Sequence, residues 1–389
     1  MDRRDFIGAC GCGLASVALG GTPGLDEAQG PLPPRLPHPA PGSDEGGLWA
    51  IMEREEARLR QSPFLVKDAA LCAYVQDLAC RLGRQHCPDI RTYLIRSPYF
   101  NASMAPNGAM QVWTGLLLRT ENEAQLAAVL GHEIGHYVSR HSVARLRDAK
   151  SRSAFAHVLA VVPVAGLLAG IGLLAGGFAY SREHERVADQ IGLELLASAG
   201  YPPLEASRVW GHLLEELQAE KEWTGDASSR SLLFATHPTE KERQVQLESR
   251  ARGLEKADQD PRVEGFRQVV APLRFTWMED ELKRRKFGES LALLGRLTRD
   301  RPRDGEARYF LGEAYRMRNE EGDPARALEA YRQAAAEDGA PPEVHRALGR
   351  LHQRAGRVPE MQEAYRRYLV ARPQAEDAAM IRSYLKEGG

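Results

Sequence analysis

The chain has few cysteines, no excess of either charge and, after its first 21 residues, only one long run without charge. With 52 basic against 53 acidic side chains, nothing in the balance recruits nucleic acid or a strongly charged substrate. Five cysteines in 389 residues are too few for a disulfide scaffold. Cys10 and Cys12 fall in the leader described below, which leaves Cys72, Cys80 and Cys87. On a shared helix Cys72 and Cys80 would stand about 12 Å apart, too far to bridge. One bridge using Cys87 is open, with a third thiol over. A single long apolar run cannot build a multi-span membrane body. What is present is 43% hydrophobic residues and enough length for two domains, each with its own core.

Residues 1–21 read as an export signal: Arg3 and Arg4 give a basic start, and an apolar, small-residue run follows from Phe6 to Gly21. Arg3-Arg4-Asp5-Phe6-Ile7 fits the twin-arginine type, with cleavage near Gly20. Ile7 to Cys10 is a weaker lipobox match, and a short membrane anchor is the other reading. Residues 22–47, rich in Pro and Gly, read as a tether. The expected location is the periplasm.

Residues 48–252 read as a mainly α domain with a small β-sheet. Leu48–Arg60 and Asp68–Arg84 have helical spacing; Arg91–Arg96 and Ala109–Thr114 alternate as strands, with a turn at Pro106-Asn107-Gly108. Thr120, with Glu123 three residues on, makes a capping box for a helix predicted to run to about Asp148. Residues 155–180 carry no side chain charged at neutral pH. Pro163 and five glycines there predict a hairpin, either shallow on a membrane surface or buried. Residues 253–273 read as a linker, and 274–389 as an all-α solenoid of tetratricopeptide-like repeats that recruits a protein partner. Leu311-Gly312-x-x-Tyr315 with Tyr331 is followed by Leu348-Gly349-x-x-His352 with Tyr365, and the two later tyrosines are 34 residues apart. Leu294, Leu297 and Pro302 mark a weaker first copy; a generic helical bundle is the alternative. A cut at Arg274 is expected to separate the two halves.

His132-Glu133-Ile134-Gly135-His136 sits on the predicted helix, and a spacing of four puts both imidazoles on one face where each can approach a zinc ion. Glu133 beside them is placed to move a proton between a zinc-activated water and the leaving amine. Surface histidines would give the same pattern by accident. A metzincin would need Gly and His where the chain has Ser139 and Ser142, and His141 is one position off. The remaining solution is a later glutamate, the gluzincin arrangement. On a helix predicted over Arg182–Ser198, Glu185 would bind zinc and Asp189 would accept from the far nitrogen of a histidine ligand. Glu183 is the rival ligand, without an acidic partner four residues on.

These residues resemble the zinc endopeptidase family that includes HtpX, BepA and the CAAX prenyl proteases. The likeness covers roughly Leu48–Arg252 and adds Thr236-His237-Pro238 with Arg243, and Asn101-Ala102 ahead of the metal helix. It implies one zinc per chain on His132, His136 and Glu185, with Glu133 as base. It also implies a protein or peptide substrate, added as a strand against an edge such as Ala109–Thr114, which puts forward Asn101, Ala109, Gln111 and Trp113. His237 would stabilise the oxyanion or cap the zinc and hold the enzyme latent; closing a helix start is its structural alternative. Arg243 would support the same site. Signal, peptidase and repeats together are most similar to the BepA-like members, envelope quality-control proteases. A chaperone or scaffold working through its repeats, with latent or minor proteolysis, is the alternative function.

Overall fold

A computed structural model describes residues 32–35, 37–151, 180–226, 237, 241–337 and 339–387. The expected export signal lies outside them, as does the apolar run 155–180 apart from Tyr180. Among the described residues no helix is long and apolar enough to cross a membrane.

The described end of the expected tether is tied down. Leu32 is buried in the main core, Gln85 donates to the Leu32 and Pro33 carbonyls, and Arg35 grips Asp89 with two bonds of 2.6 and 2.8 Å. A Pro-rich segment has no internal backbone bonds to satisfy, so it docks through carbonyls and side chains instead. Its last residues already belong to α1 (Asp44–Leu59), capped by Ser43. Asp68 caps α2 (Ala69–Gly83), whose Leu71, Val75, Leu78 and Leu82 face the core. A 3₁₀ turn (Arg84–Asp89) follows, with Cys87 disulfide-bonded to Cys80; among the described residues Cys72 is the free thiol, donating to the Val66 carbonyl.

Three short strands, β1 (Arg91–Ile95), β2 (Ala102–Met104) and β3 (Ala109–Trp113), form a sheet in the order β1-β3-β2. β1 runs parallel to β3, with Arg91 opposite Ala109, and β2 runs antiparallel, with Ser103 opposite Gln111. The turn joining β2 to β3 needs its glycine: Gly108 has φ +86°, and a Cβ there would stand 2.0 Å from the Asp89 carbonyl oxygen. This order corrects the expectation that Ala109–Thr114 is an edge. The hairpin lays β2 on one side of β3, and β1 takes the other.

The capping box also moves. Thr120 closes α3 (Thr114–Arg119), its hydroxyl donating to the Leu116 and Leu117 carbonyls. Asn122 caps α4 (Glu123–Val138) by accepting from Gln125 N–H, and the Gln125 side chain accepts from Glu121 N–H in return. Glu123 is left to pair with Arg81 at 2.9 Å. The helix ends at Val138, ten residues short of the expected Asp148, because Arg140 takes a left-handed φ of +55° before α5 (His141–Ser151) begins. Then come α6 (Arg182–Ser198, capped by Ser181), α7 (Leu204–Thr224) and α8 (Lys241–Leu254).

Residues 263–273 of the expected linker are helix: α9 (Val263–Lys283) buries Phe266, Val270, Trp277 and Met278 in the core it shares with α2, α3 and α4. Buried Arg119 of α3 lies between Glu216 of α7 at 2.7 Å and Glu281 of α9 at 2.9 Å, and Arg296 completes the cluster on Glu216 at 2.9 Å. A cut at Arg274 therefore falls inside a helix that both halves use. α10 (Phe287–Asp300) packs mainly against α7 and then α11 (Gly305–Arg318), α11 pairs with α12 (Asp323–Ala335), α13 (Glu343–Arg354) with α14 (Val358–Ala371), and α15 (Ala378–Glu387) closes the array. The repeat motif has a packing cause. A Cβ on Gly312 would meet the Tyr331 ring at 2.5 Å, and one on Gly349 the Tyr365 ring at 2.4 Å.

Candidate metal centre

His132 and His136 lie one turn apart on α4, with Glu133 between them, and Glu185 stands in the first turn of α6. A glutamate reaches two histidines on another helix only if the backbones nearly touch. Gly131 and Gly135 each precede a histidine, and Ala188 and Gly192 repeat the four-residue spacing opposite. A Cβ on Gly135 would stand 2.9 Å from the Ala188 carbonyl oxygen and 3.0 Å from its Cα; one on Gly192 would stand 3.1 Å from His132 N. Gly135→Val should therefore force α6 outward, cost about 1–3 kcal/mol by overpacking, and lower bound metal. A variant with wild-type melting and full metal content would contradict this account of the crossing.

Four buried donors converge: Nε2 of His132, Nε2 of His136, a carboxylate oxygen of Glu185 and Nδ1 of His237. The two Nε2 atoms are 3.1 Å apart, and His237 Nδ1 lies 3.3 Å from that of His132. Glu185 oxygens lie 3.0 Å from His237 Nδ1, 3.4 Å from His136 Nε2 and 3.5 Å from His132 Nε2. A tetrahedral ion with bonds of 2.0–2.1 Å spaces its donors about 3.3 Å apart, so the set fits a zinc-sized cation. Burial works against the Glu185 carboxylate, yet the His237 and His136 rings hold its carboxyl well below the usual range. Burial pushes His136 well below its usual value and so keeps its ring neutral, as a ligand must be.

Around these donors each ring is fixed from behind. Asp189 Oδ1 lies 3.0 Å from His132 Nδ1, and Arg243 holds Asp189 with two bonds of 2.7 Å while its third nitrogen reaches Glu185 at 2.7 Å. Arg243 lies over the Trp210 ring at 5.6 Å. His136 meets His141 Nδ1 to Nδ1 at 2.9 Å and stacks on Tyr180 at 3.8 Å. Glu133 accepts from Met104 N–H of β2, and its Oε1 lies 3.6 Å from His237 Nε2; burial raises its carboxyl above the ordinary value.

The structure thus places His132, Glu133, His136, Glu185, Asp189, His237 and Arg243 together. Thr236 and Pro238 lie outside the described residues. Glu183, the rival ligand, is exposed and pairs with Arg186 at 2.5 Å. Ala109, Gln111 and Trp113 do not form an edge: they belong to β3, bonded on both sides, where no further strand can pair. Asn101 lies just before β2, and its carbonyl accepts from Trp113 N–H. Sequence reasoning missed Tyr180, Trp210 and the four small residues of the helix crossing. The small residues had a readable signal, because Gly131 and Gly135 repeat the spacing of the histidines they precede.

Peptidase family M48 matches residues 66–251, and the tetratricopeptide repeat matches residues 275–321 and 320–376. Over 211 residues the chain is 29% identical to the beta-barrel assembly-enhancing protease of Escherichia coli (strain K12), covering 50% of this chain and 42% of that one. It is 35% identical over 162 residues to mitochondrial metalloendopeptidase OMA1 of Schizosaccharomyces pombe (strain 972 / ATCC 24843), covering 40% and 45%. For OMA1 of Arabidopsis thaliana the figures are 35% over 150 residues, covering 39% and 29%. The matched stretch spans less than half the length of each of these relatives.

Proposed function

From a peptidase family M48 domain at residues 66–251 followed by tetratricopeptide repeats, we propose that the protein is a zinc-dependent endopeptidase acting on misfolded or unassembled proteins of the cell envelope. The observation that carries this reading is the convergence of four buried donors with Glu133 beside them. Zinc held by His132, His136 and Glu185 would supply Lewis acidity and acidify a water toward neutrality. Glu133 takes the proton from the attacking water and delivers it to the leaving nitrogen. Asp189 and Arg243 hold the His132 ring and the Glu185 carboxylate in register for this work. An extended substrate adds along β2, the sheet edge whose Met104 N–H reaches Glu133. The repeats recruit a protein partner or present the substrate, and export places the chain in the periplasm.

His237 takes the fourth donor place, where a substrate oxygen would sit, and so we read this conformation as capped and latent. The same observation gives the scaffold alternative its footing, since a capped centre cleaves little. His237→Ala is expected to keep zinc and to raise casein cleavage by roughly tenfold, the scale of a coupling near 1.4 kcal/mol. A variant that binds zinc fully and cleaves less than wild type would assign His237 to oxyanion stabilisation instead. The reading as a whole is tested by metal content and chelator-sensitive casein cleavage of the purified mature chain. Folded protein with no zinc would move the function to the repeats.

A further inference from the structure

We propose that a cavity of about 220 Å³ beside the metal centre receives one large apolar side chain of the polypeptide substrate. We also propose that the docked N-terminal segment, outside the M48 match, builds part of its wall. This rests on the endopeptidase reading above and adds which residue that enzyme selects.

Position is the first argument. The cavity is lined by Met104, whose N–H bonds Glu133, and by His136, one of the metal donors. A side chain seated there belongs to a residue whose backbone lies at the reacting centre. Chemistry is the second. The four acidic and basic residues of the lining pair with one another: Arg35 with Asp89 at 2.6 Å, and Arg140 with Glu45. Between them the wall is Pro37, Trp49, Met104, Pro106, Tyr137 and Val143, with His38 edge-on to Trp49 at 4.4 Å and the Ser142 hydroxyl occupied by the Tyr180 hydroxyl at 3.2 Å. Paired charges leave no net attraction for a lysine or glutamate side chain, and burying either without a partner is costly. Size is the third. An apolar cavity of about 150 Å³ holds benzene, whereas whole small-molecule sites run to about 300–1,000 Å³. The volume here suits one phenylalanine, tyrosine or leucine side chain.

The N-terminal wall is built, not draped. His86 Nε2 lies 2.8 Å from the Pro33 carbonyl oxygen, and Gln85 and Asp89 hold Pro33 and Arg35 from the same 3₁₀ turn. The Cys80–Cys87 disulfide fastens that turn to α2. Pro37 and His38 are thereby set opposite Met104 and His136 by a segment that lies ahead of residues 66–251.

The test uses the full mature chain loaded with zinc and peptides that differ only at one residue flanking the cleaved bond: Phe, Leu, Ala or Lys. Cleavage is measured on the wild type. Binding of the same peptides, fluorescently labelled, is measured by anisotropy on Glu133→Gln, which needs no turnover. Both should prefer Phe or Leu over Ala by roughly 10- to 100-fold, the range a hydrophobic pocket supplies. Trp49→Ala and, separately, Arg35→Ala should remove most of that preference while zinc content stays at one per chain. Unchanged preference in two folded variants, a preference for Lys, or no discrimination in wild type would overturn the pocket. If neither wild type nor His237→Ala cleaves any peptide but Glu133→Gln still discriminates, the pocket stands and the endopeptidase reading falls. Cleavage without discrimination overturns the pocket and leaves the endopeptidase reading in place.

Discussion

Glu133→Gln should keep one zinc per chain and lose about 10²–10⁴-fold in the cleavage of casein, the usual range for removing a general base. The substitution preserves shape in a buried place, where Glu133 is 2% exposed and accepts from Met104 N–H. An amide oxygen can still accept that bond, so β2 should not move. What disappears is the ability to hold a proton between attack and departure of the amine. Metal analysis beside a timed digestion decides the matter. Zinc-loaded Glu133→Gln protein that digests casein at the wild-type rate would remove Glu133 from the mechanism, leaving the metal assignment untouched.

Glu185→Ala should lose the metal itself, and with it all chelator-sensitive cleavage. Glu185 contributes the single carboxylate among the four donors, and Glu183 is exposed and faces Arg186, so it cannot substitute. Arg243 would still hold Asp189 with two bonds of 2.7 Å, which leaves the guanidinium paired and the fold intact. Melting provides a readout independent of activity. A ligand at a thousand times its Kd stabilises by about 4 kcal/mol, so added zinc should raise the wild-type midpoint and leave that of Glu185→Ala unmoved. A stoichiometric zinc content in the variant would overturn the ligand set.

The centre was legible before the fold because its logic is local. The spacing of His132 and His136, and of Glu185 and Asp189, is set by the helical turn, and both stretches are helical as their periodicity requires. The repeats were legible for a similar reason: Gly312 and Gly349 recur because each makes room for a tyrosine ring. What failed depended on partners distant in sequence. Nothing within Ala109–Trp113 says that a strand pairs on each side of it. Thr120 and Asn122 are both good caps two residues apart, and only the end of α3 shows which helix each serves. Proline-rich composition read as a free tether because Leu32, Arg35 and their anchors on the 3₁₀ turn are about fifty positions apart.

The buried cluster of Arg119, Glu216, Glu281 and Arg296 also bears on how such a chain can be recombined. A crossover at residue 274 would hand Glu281 to one descendant and Arg119 to another. Arg119 would keep Glu216 at 2.7 Å, but the incoming helices would have to replace the carboxylate of Glu281 beside Arg119 and the cation of Arg296 beside Glu216, or leave the buried pair with half its partners. A chimera that keeps the cluster whole must carry α9 and α10 across with the catalytic half.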